Sequence, residues 1–138
     1  MLTAAVPGLD GIARRFIARL EAIPEPDGCI VHGDIYPPNV MMNDDLQVTG
    51  LIDFSFTTRI GDHVMDLAGA CHFLSVTKAC SQADYDYVKQ SILARHGTEV
   101  MDRIDLYAVW FAFDFACNHD DAAIFAWYTD LPRDFGAN

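Results

Sequence analysis

The sequence predicts one domain over residues 1–138, of the α+β class and mostly α-helical. Three observations predict it. Apolar residues recur at helical spacing before residue 24 and again after residue 62. Between them lie short β-type runs around the turn sequence Asn43-Asp44-Asp45. No linker, internal repeat or low-complexity tract divides the chain.

Taken in order, Leu9, Ile12, Ala13, Phe16, Ile17, Leu20 and Ile23 set a helix over 9–23, with Arg14, Arg15 and Arg19 off its apolar stripe. Pro24 and Pro26, with Gly28, end it and turn the chain into a first strand, Cys29-Ile30-Val31. Val40-Met41-Met42 reads as a second strand. Leu46, Val48, Leu51 and Ile52 read as a third that delivers Asp53, and 56–60 as a connecting loop. Asp62 stands where it can cap a helix over about 63–79, which carries Val64, Leu67, Ala68, Cys71 and Leu74 on one stripe. Ser81-x-x-Asp84 is a capping signal for a helix that ends near His96 and Gly97. Thr98 is a candidate cap for the next. Residues 106–117 are apolar nearly all round, so a buried central helix is expected. Residues 118–121 read as a break, 122–128 as a short aromatic helix, and Leu131-Pro132 as the start of a loose tail.

Composition narrows the function classes. Net charge is −11, from 17 Asp and 3 Glu against few bases, of which 2 are Lys. A nucleic-acid partner needs Lys and Arg clusters to neutralise phosphates, so none is expected. The same acidity suits a cationic small molecule, and equally suits plain solubility. The longest apolar run is a dozen residues interrupted by Asp114, short of the roughly 20 that a membrane span requires. Residues 1–20 lack a basic start followed by an apolar block, so no signal peptide is expected. Cys29, Cys71, Cys80 and Cys117 are scattered without a C-x-x-C pair, which favours reduced thiols and a cytoplasmic setting. A zinc site drawn from Cys29, His32, Cys71 and His72 fits none of the usual ligand spacings.

The chemistry concentrates in His32-Gly33-Asp34-Ile35-Tyr36-Pro37-Pro38-Asn39 and in Ile52-Asp53-Phe54. An Asp, an Asn after four intervening residues, and a second Asp beyond a hairpin is the spacing phosphoryl transfer uses in kinases. With Gly61-Asp62-His63-Val64-Met65-Asp66-Leu67-Ala68 following, the stretch resembles the aminoglycoside phosphotransferase and choline kinase-like family. The resemblance is strong over some forty residues and extends to the flanking helices in pattern. It implies the C-terminal lobe of a protein-kinase-like fold, with a small β-hairpin carrying the catalytic and metal-binding loops. It implies transfer of a phosphoryl group from ATP or GTP, with Mg2+, to a hydroxyl of a small molecule. Asp34 would then be the catalytic base, and Asn39 and Asp53 would hold magnesium through oxygen. The alternative for all three is plain turn chemistry. His32, Asp66 and Asp62 would brace the loop; Asp62 and Asp66 also suit a helix N-terminus, where carboxylates are favoured. Asp114, Asp120 and Asp121, among Trp110, Phe111, Phe113, Phe115 and Trp127, would hold an amine by charge and cation–π contact, or else form a plain aromatic core with a polar helix end. Phe54-Ser55 departs from the Phe-Gly of protein kinases.

A kinase-like enzyme also needs a nucleotide lobe with a phosphate-covering loop and a lysine. No lysine precedes His32, and Gly8, Gly11 and Gly28 form no phosphate-cradling series. The chain therefore reads either as a truncated C-terminal lobe or as a half-protein that relies on a partner, self-association included, and weak or no activity alone is expected. Two other classes stay open. One is a non-catalytic kinase-like binding or regulatory module. The other is a two-metal phosphoesterase, echoed by Gly33-Asp34, Gly61-Asp62 and Asn118-His119-Asp120. In that reading Tyr36 stands where the first motif needs a histidine. A serine hydrolase lacks its G-x-S-x-G elbow, and Ser55 has no evident base.

Overall fold

Helices, then four short strands, then helices is the order along the chain: α1 (Leu2–Ala5), α2 (Leu9–Glu21), β1 (Cys29–Val31), β2 (Val40–Met42), β3 (Val48–Leu51), β4 (Arg59–Gly61), α3 (Val64–His72), α4 (Gln82–His96), α5 (Met101–Asp114) and α6 (Ala122–Ala137). The structure is a computed structural model and describes residues 2–115 and 122–137. It is mostly helical, with two two-stranded antiparallel sheets. Contacts divide the chain into two units, Met1–Glu25 with Asp105–Asn138, and Pro26–Ile104.

In the unit Pro26–Ile104, β2 and β3 form the expected hairpin, with Val40 opposite Leu51 and a register shift between Met41 and Met42. The side chain of Asn43 closes it, Oδ1 accepting from the Gln47 amide at 2.8 Å. Leu46 sits in the turn with φ 60°, so the third strand starts at Val48 and not at Leu46. The loop expected over 56–60 ends instead in strand β4, which β1 recruits with Ile30 opposite Ile60. No local signal announces a pairing of such sequence separation. Val31, at the end of β1, is fully buried.

The next helix is shorter than its apolar stripe suggests. α3 stops at His72 and tightens into a 3-10 turn over Phe73–Val76. There the Thr77 hydroxyl donates to the Phe73 carbonyl at 2.7 Å, a local bond that competes with helix continuation. Ser81 and Asp84 form the reciprocal capping box at the start of α4, and the hydrogen bonds from Ser81 hold the Asp84 carboxyl below its usual range. Gly97, at φ 76°, ends that helix. Val64, Met65, Ala68, Cys71, Phe73, Ile92, Val100 and Ile104 are buried. Cys29, Cys71 and Cys80 carry thiols and no disulfide.

In the other unit, Phe16 of α2 packs with Leu106 and Val109 of α5, flanked by Leu20, Ile23, Trp110, Phe113 and Phe135. The predicted buried helix is there: Leu106, Tyr107, Ala108, Val109, Phe111 and Ala112 are all buried. The loose tail is not. α6 runs through Pro132, which is fully buried, as far as Ala137. A proline inside a helix costs about 3 kcal/mol. Packing offsets it: the Phe135 ring meets the Phe16 ring edge-on at 6.0 Å and lies 5.2 Å beneath the Arg19 guanidinium. Arg133 adds hydrogen bonds to Asp130 and to the Ala5 carbonyl. Among the described residues no helix is long and apolar enough to cross a membrane.

His72 gives the fold a pH signature. Burial, with the Lys89 charge adding to it, pushes its pKa down to about 4 from 6.5, and its ring packs edge-on against Tyr85 at 5.7 Å. The unfolded chain therefore binds a proton between these values that the folded chain does not. Stability is fully present above pH 6.5 and falls as pH drops toward 4, by about 3 kcal/mol from this group. Denaturant unfolding at pH 7 and pH 4.5 is expected to show a smaller loss on acidification in His72→Phe than in the unsubstituted chain.

Candidate active site

The site begins where β1 runs out. Backbone N–H groups just past a strand end need acceptors, and one side chain from α3 supplies both. Asp66 Oδ2 accepts from the His32 amide and Asp66 Oδ1 from the Gly33 amide, each at 2.9 Å. The His32 carbonyl in turn accepts from the hydroxyls of Thr57, at 3.1 Å, and Thr58, at 3.3 Å.

The His32 ring is 2% exposed and both its nitrogens are committed. Nδ1 faces the Asp34 amide at 3.2 Å, so it must accept; Nε2 then carries the proton and donates to the Ile52 carbonyl at 2.8 Å. The Phe54 ring meets it edge-on at 4.6 Å. One imidazole thus ties the loop after β1 to the residue before Asp53. Gly33 stands at φ 79°, and a Cβ there would lie 2.4 Å from the Thr57 carbonyl oxygen. Only glycine satisfies both the left-handed backbone and that approach.

Beyond it the chain turns at Pro37–Asn39, a 3-10 turn entered through an extended Tyr36, as a residue before proline prefers. The turn brings the Asn39 side chain back onto Asp34. Its Nδ2 donates to the Asp34 carbonyl at 3.0 Å and to Asp34 Oδ2 at 3.2 Å. Asn39 is 8% exposed, and its carbonyl takes the Ile52 amide at 3.0 Å, which fixes the far strand of the hairpin against the loop. Asp53 follows directly, exposed and at φ 65°. A left-handed aspartate is a backbone cost of a kind that gathers at functional sites.

Asp34, Asn39 and Asp53 therefore share one region. Burial raises the Asp34 pKa above its usual value; the Asn39 hydrogen bond opposes the rise, and the negative charge of Asp53 adds to it. A carboxylate raised in this way is a better proton acceptor near neutrality than a free one. The Asn39 amide oxygen and the Asp53 carboxylate are hard donors of the kind that suits magnesium. With Asn39 Nδ2 turned to Asp34, the Asn39 Oδ1 is the atom left to face a cation, so these residues fit such an ion. Among the described residues no cluster of three His, Cys, Asp or Glu side chains gathers as a metal site.

The other candidates fall elsewhere. Asp62 accepts from the Val64 amide at 3.0 Å, at the start of α3, and pairs with Arg103 at 2.8 Å. The sequence gives no signal for Arg103, which reaches across forty-one positions, nor for the buried Thr57. Asp114 belongs to the other unit, where it borders a groove of about 320 Å³ lined by Ala13, Phe16, Ile17, Trp110 and Phe113. Asp120 and Asp121 lie outside the described residues.

Residues 2–107 match the family model described as the phosphotransferase enzyme family. No curated protein and no solved structure matches the chain. The matched region includes Asp34, Asn39, Asp53, Asp62, Asp66 and Arg103; Asp114, Asp120 and Asp121 lie beyond it.

The raised pKa of Asp34 carries a stability consequence. The folded state favours its protonated form, so the group stabilises fully below the unfolded pKa and that contribution is lost as pH rises through the folded value. At pH 7 the charged carboxylate is a net burden on the fold. Asp34→Asn is expected to melt higher than the unsubstituted chain at pH 7, with the difference closing as pH approaches 4, measured by thermal unfolding across that range.

Proposed function

The chain belongs to the phosphotransferase enzyme family, and on that premise we propose that it is the C-terminal lobe of a protein-kinase-like small-molecule kinase. Its reaction is transfer of a phosphoryl group from ATP or GTP to a hydroxyl. The observation that carries the reading is the Asn39 side chain folded onto Asp34, with Asp53 close enough to raise the same carboxyl.

Asp34 Oδ2 is held by Asn39, and Oδ1 takes no hydrogen bond among the described residues. Oδ1 is thus the atom to accept the proton of a substrate hydroxyl and orient it for attack. Asn39 Oδ1 and the Asp53 carboxylate would hold magnesium, whose charge, when bound, neutralises that on the nucleotide's phosphates. His32, with both nitrogens engaged, keeps the loop's shape and moves no proton. The acceptor is a small amine-bearing alcohol, favoured by the net charge of −11.

On this reading a phosphate-cradling lysine and glycine loop would be supplied by other polypeptide, since no lysine stands before His32. The hairpin region leaves room for such a lobe: Ile30, Met41, Met42, Val48, Ile60 and Phe56 are exposed, Phe56 by 89%. Apolar surface of that kind marks a contact site. A nucleotide lobe is the occupant we assign, acting in a cytoplasmic setting, and the isolated chain turns over slowly or not at all.

Calorimetric titration of MgATP and MgGTP into the 138-residue chain tests the reading, alongside transfer of labelled phosphate to hydroxylated amines. Saturable nucleotide binding that Asp53→Ala abolishes and Asn39→Ala weakens by about tenfold or more is expected, from loss of one oxygen ligand. Binding of equal strength in Asp53→Ala contradicts the assignment of that carboxylate. Binding without transfer, even with a nucleotide lobe added in trans, favours the non-catalytic module instead.

A further inference from the structure

We propose that Arg103 is a positioning residue for the loop that carries Asp34, acting through Asp62 on the helix that holds Asp66. The inference rests on reading that loop as catalytic, but its geometry stands independently. Arg103 is the third residue of α5, and its Nη1 lies 2.8 Å from Asp62 Oδ2. The Asp62 side chain is 1% exposed and that of Arg103 29%. The second oxygen, Oδ1, accepts the amide of Val64, the first residue of α3, at 3.0 Å, and the Asp62 carbonyl accepts from Met65 at 3.0 Å. One buried carboxylate therefore ties a guanidinium to the first turn of a helix.

Asp66 stands on that same turn. Its two oxygens meet the His32 and Gly33 amides at 2.9 Å each, a length that leaves little room for displacement before the bonds fail. A small rotation or slide of α3 would withdraw the carboxylate from one amide or both. The Gly33 backbone is also packed against Thr57, whose carbonyl oxygen occupies the space a Cβ would need. The position of α3's first turn is thus passed directly to the residue preceding Asp34. Arg103 is the 2.8 Å ion-pair partner of Asp62 Oδ2, and His63 Nδ1 stands 3.6 Å from Oδ1. Loss of the guanidinium removes that close pair from a buried carboxylate and frees it to turn, which strains the bond that Oδ1 accepts from the Val64 amide.

Among the described residues Arg103 makes no hydrogen bond or ion pair to Asp34 or Asn39; its partner is Asp62. Its effect is therefore expected in the order of the loop before it appears in the core. Amide hydrogen exchange on the 138-residue chain reads this without requiring turnover. In Arg103→Met, the His32 and Gly33 amides are expected to exchange about tenfold faster or more, while protected amides of the β2–β3 hairpin and of α2 keep their rates. Arg103→Lys, which restores a cation near Asp62, is expected to recover part of the protection. It also serves if Arg103→Met fails to fold.

Equal acceleration at every protected amide would reduce Arg103 to general stabilisation and overturn the proposal. Unchanged exchange at His32 and Gly33 would do the same. Nucleotide titration of the same variants separates this inference from the functional reading. Selective loosening of the loop in a chain that binds no nucleotide upholds the positioning role and removes the reading of Asn39 and Asp53 as ligands of a nucleotide-bound metal in this chain.

Discussion

Both oxygens of the Asp66 carboxylate are taken by backbone N–H groups at the point where β1 ends. Carboxylate acceptors make stronger bonds to amides than carbonyls do, and these two bonds hold His32 and Gly33 in a conformation no sheet or helix would supply. Everything downstream inherits it. With the His32 backbone fixed, its ring spans from the Asp34 amide to the Ile52 carbonyl, and its carbonyl receives Thr57 and Thr58. With Gly33 fixed at φ 79°, Asp34 is aimed, and the turn through Pro37 and Pro38 returns Asn39 to it. The clamp comes from a helix thirty-three positions away from Gly33. Loop geometry here is a property of the unit Pro26–Ile104 and not of the loop alone.

Three buried residues at the loop are satisfied, and the cost falls on Asp34. His32, Asn39 and Thr57 are buried with hydrogen-bond partners, so their desolvation is compensated. Asp34 is different: burial raises its pKa, and Asp53 raises it further. The Asn39 hydrogen bond and His32 oppose that rise, and Asp53 is the smallest of its causes. Asp53 itself stands at a left-handed φ of 65°, a backbone cost of a kind that gathers at functional sites.

Much of this was legible in the sequence, for reasons that can be named. The hairpin could be read because Asn43-Asp44-Asp45 separates two β-type runs, and the α4 start because Ser81 and Asp84 stand three apart at a helix boundary. Local signals sufficed there. The pairing of β1 with β4 was not legible, because Arg59-Ile60-Gly61 has no partner nearby and gains its strand character only from Ile30 across the sheet. α6 was misjudged at Pro132 because the compensating contacts, Phe135 on Phe16 and on Arg19, come from the opposite end of the chain. At the site, the spacing from Asp34 to Asn39 and Asp53 could be read directly. Arg103 and Thr57 could not, since each acts through one long-range bond that no spacing rule encodes.

The central claim is that Asn39 and Asp53 form a hard-cation site beside Asp34, on a loop locked by Asp66. Paramagnetic broadening by Mn2+, followed residue by residue in the NMR spectrum of the 138-residue chain, tests it most directly. Broadening is expected to appear first at the Asn39 side-chain amide and at Asp34 and Asp53, with the exposed turn acids Asp44 and Asp45 still sharp at the same Mn2+ concentration. Broadening that begins at Asp44 and Asp45, or that spreads evenly over the exposed acids, would contradict the account.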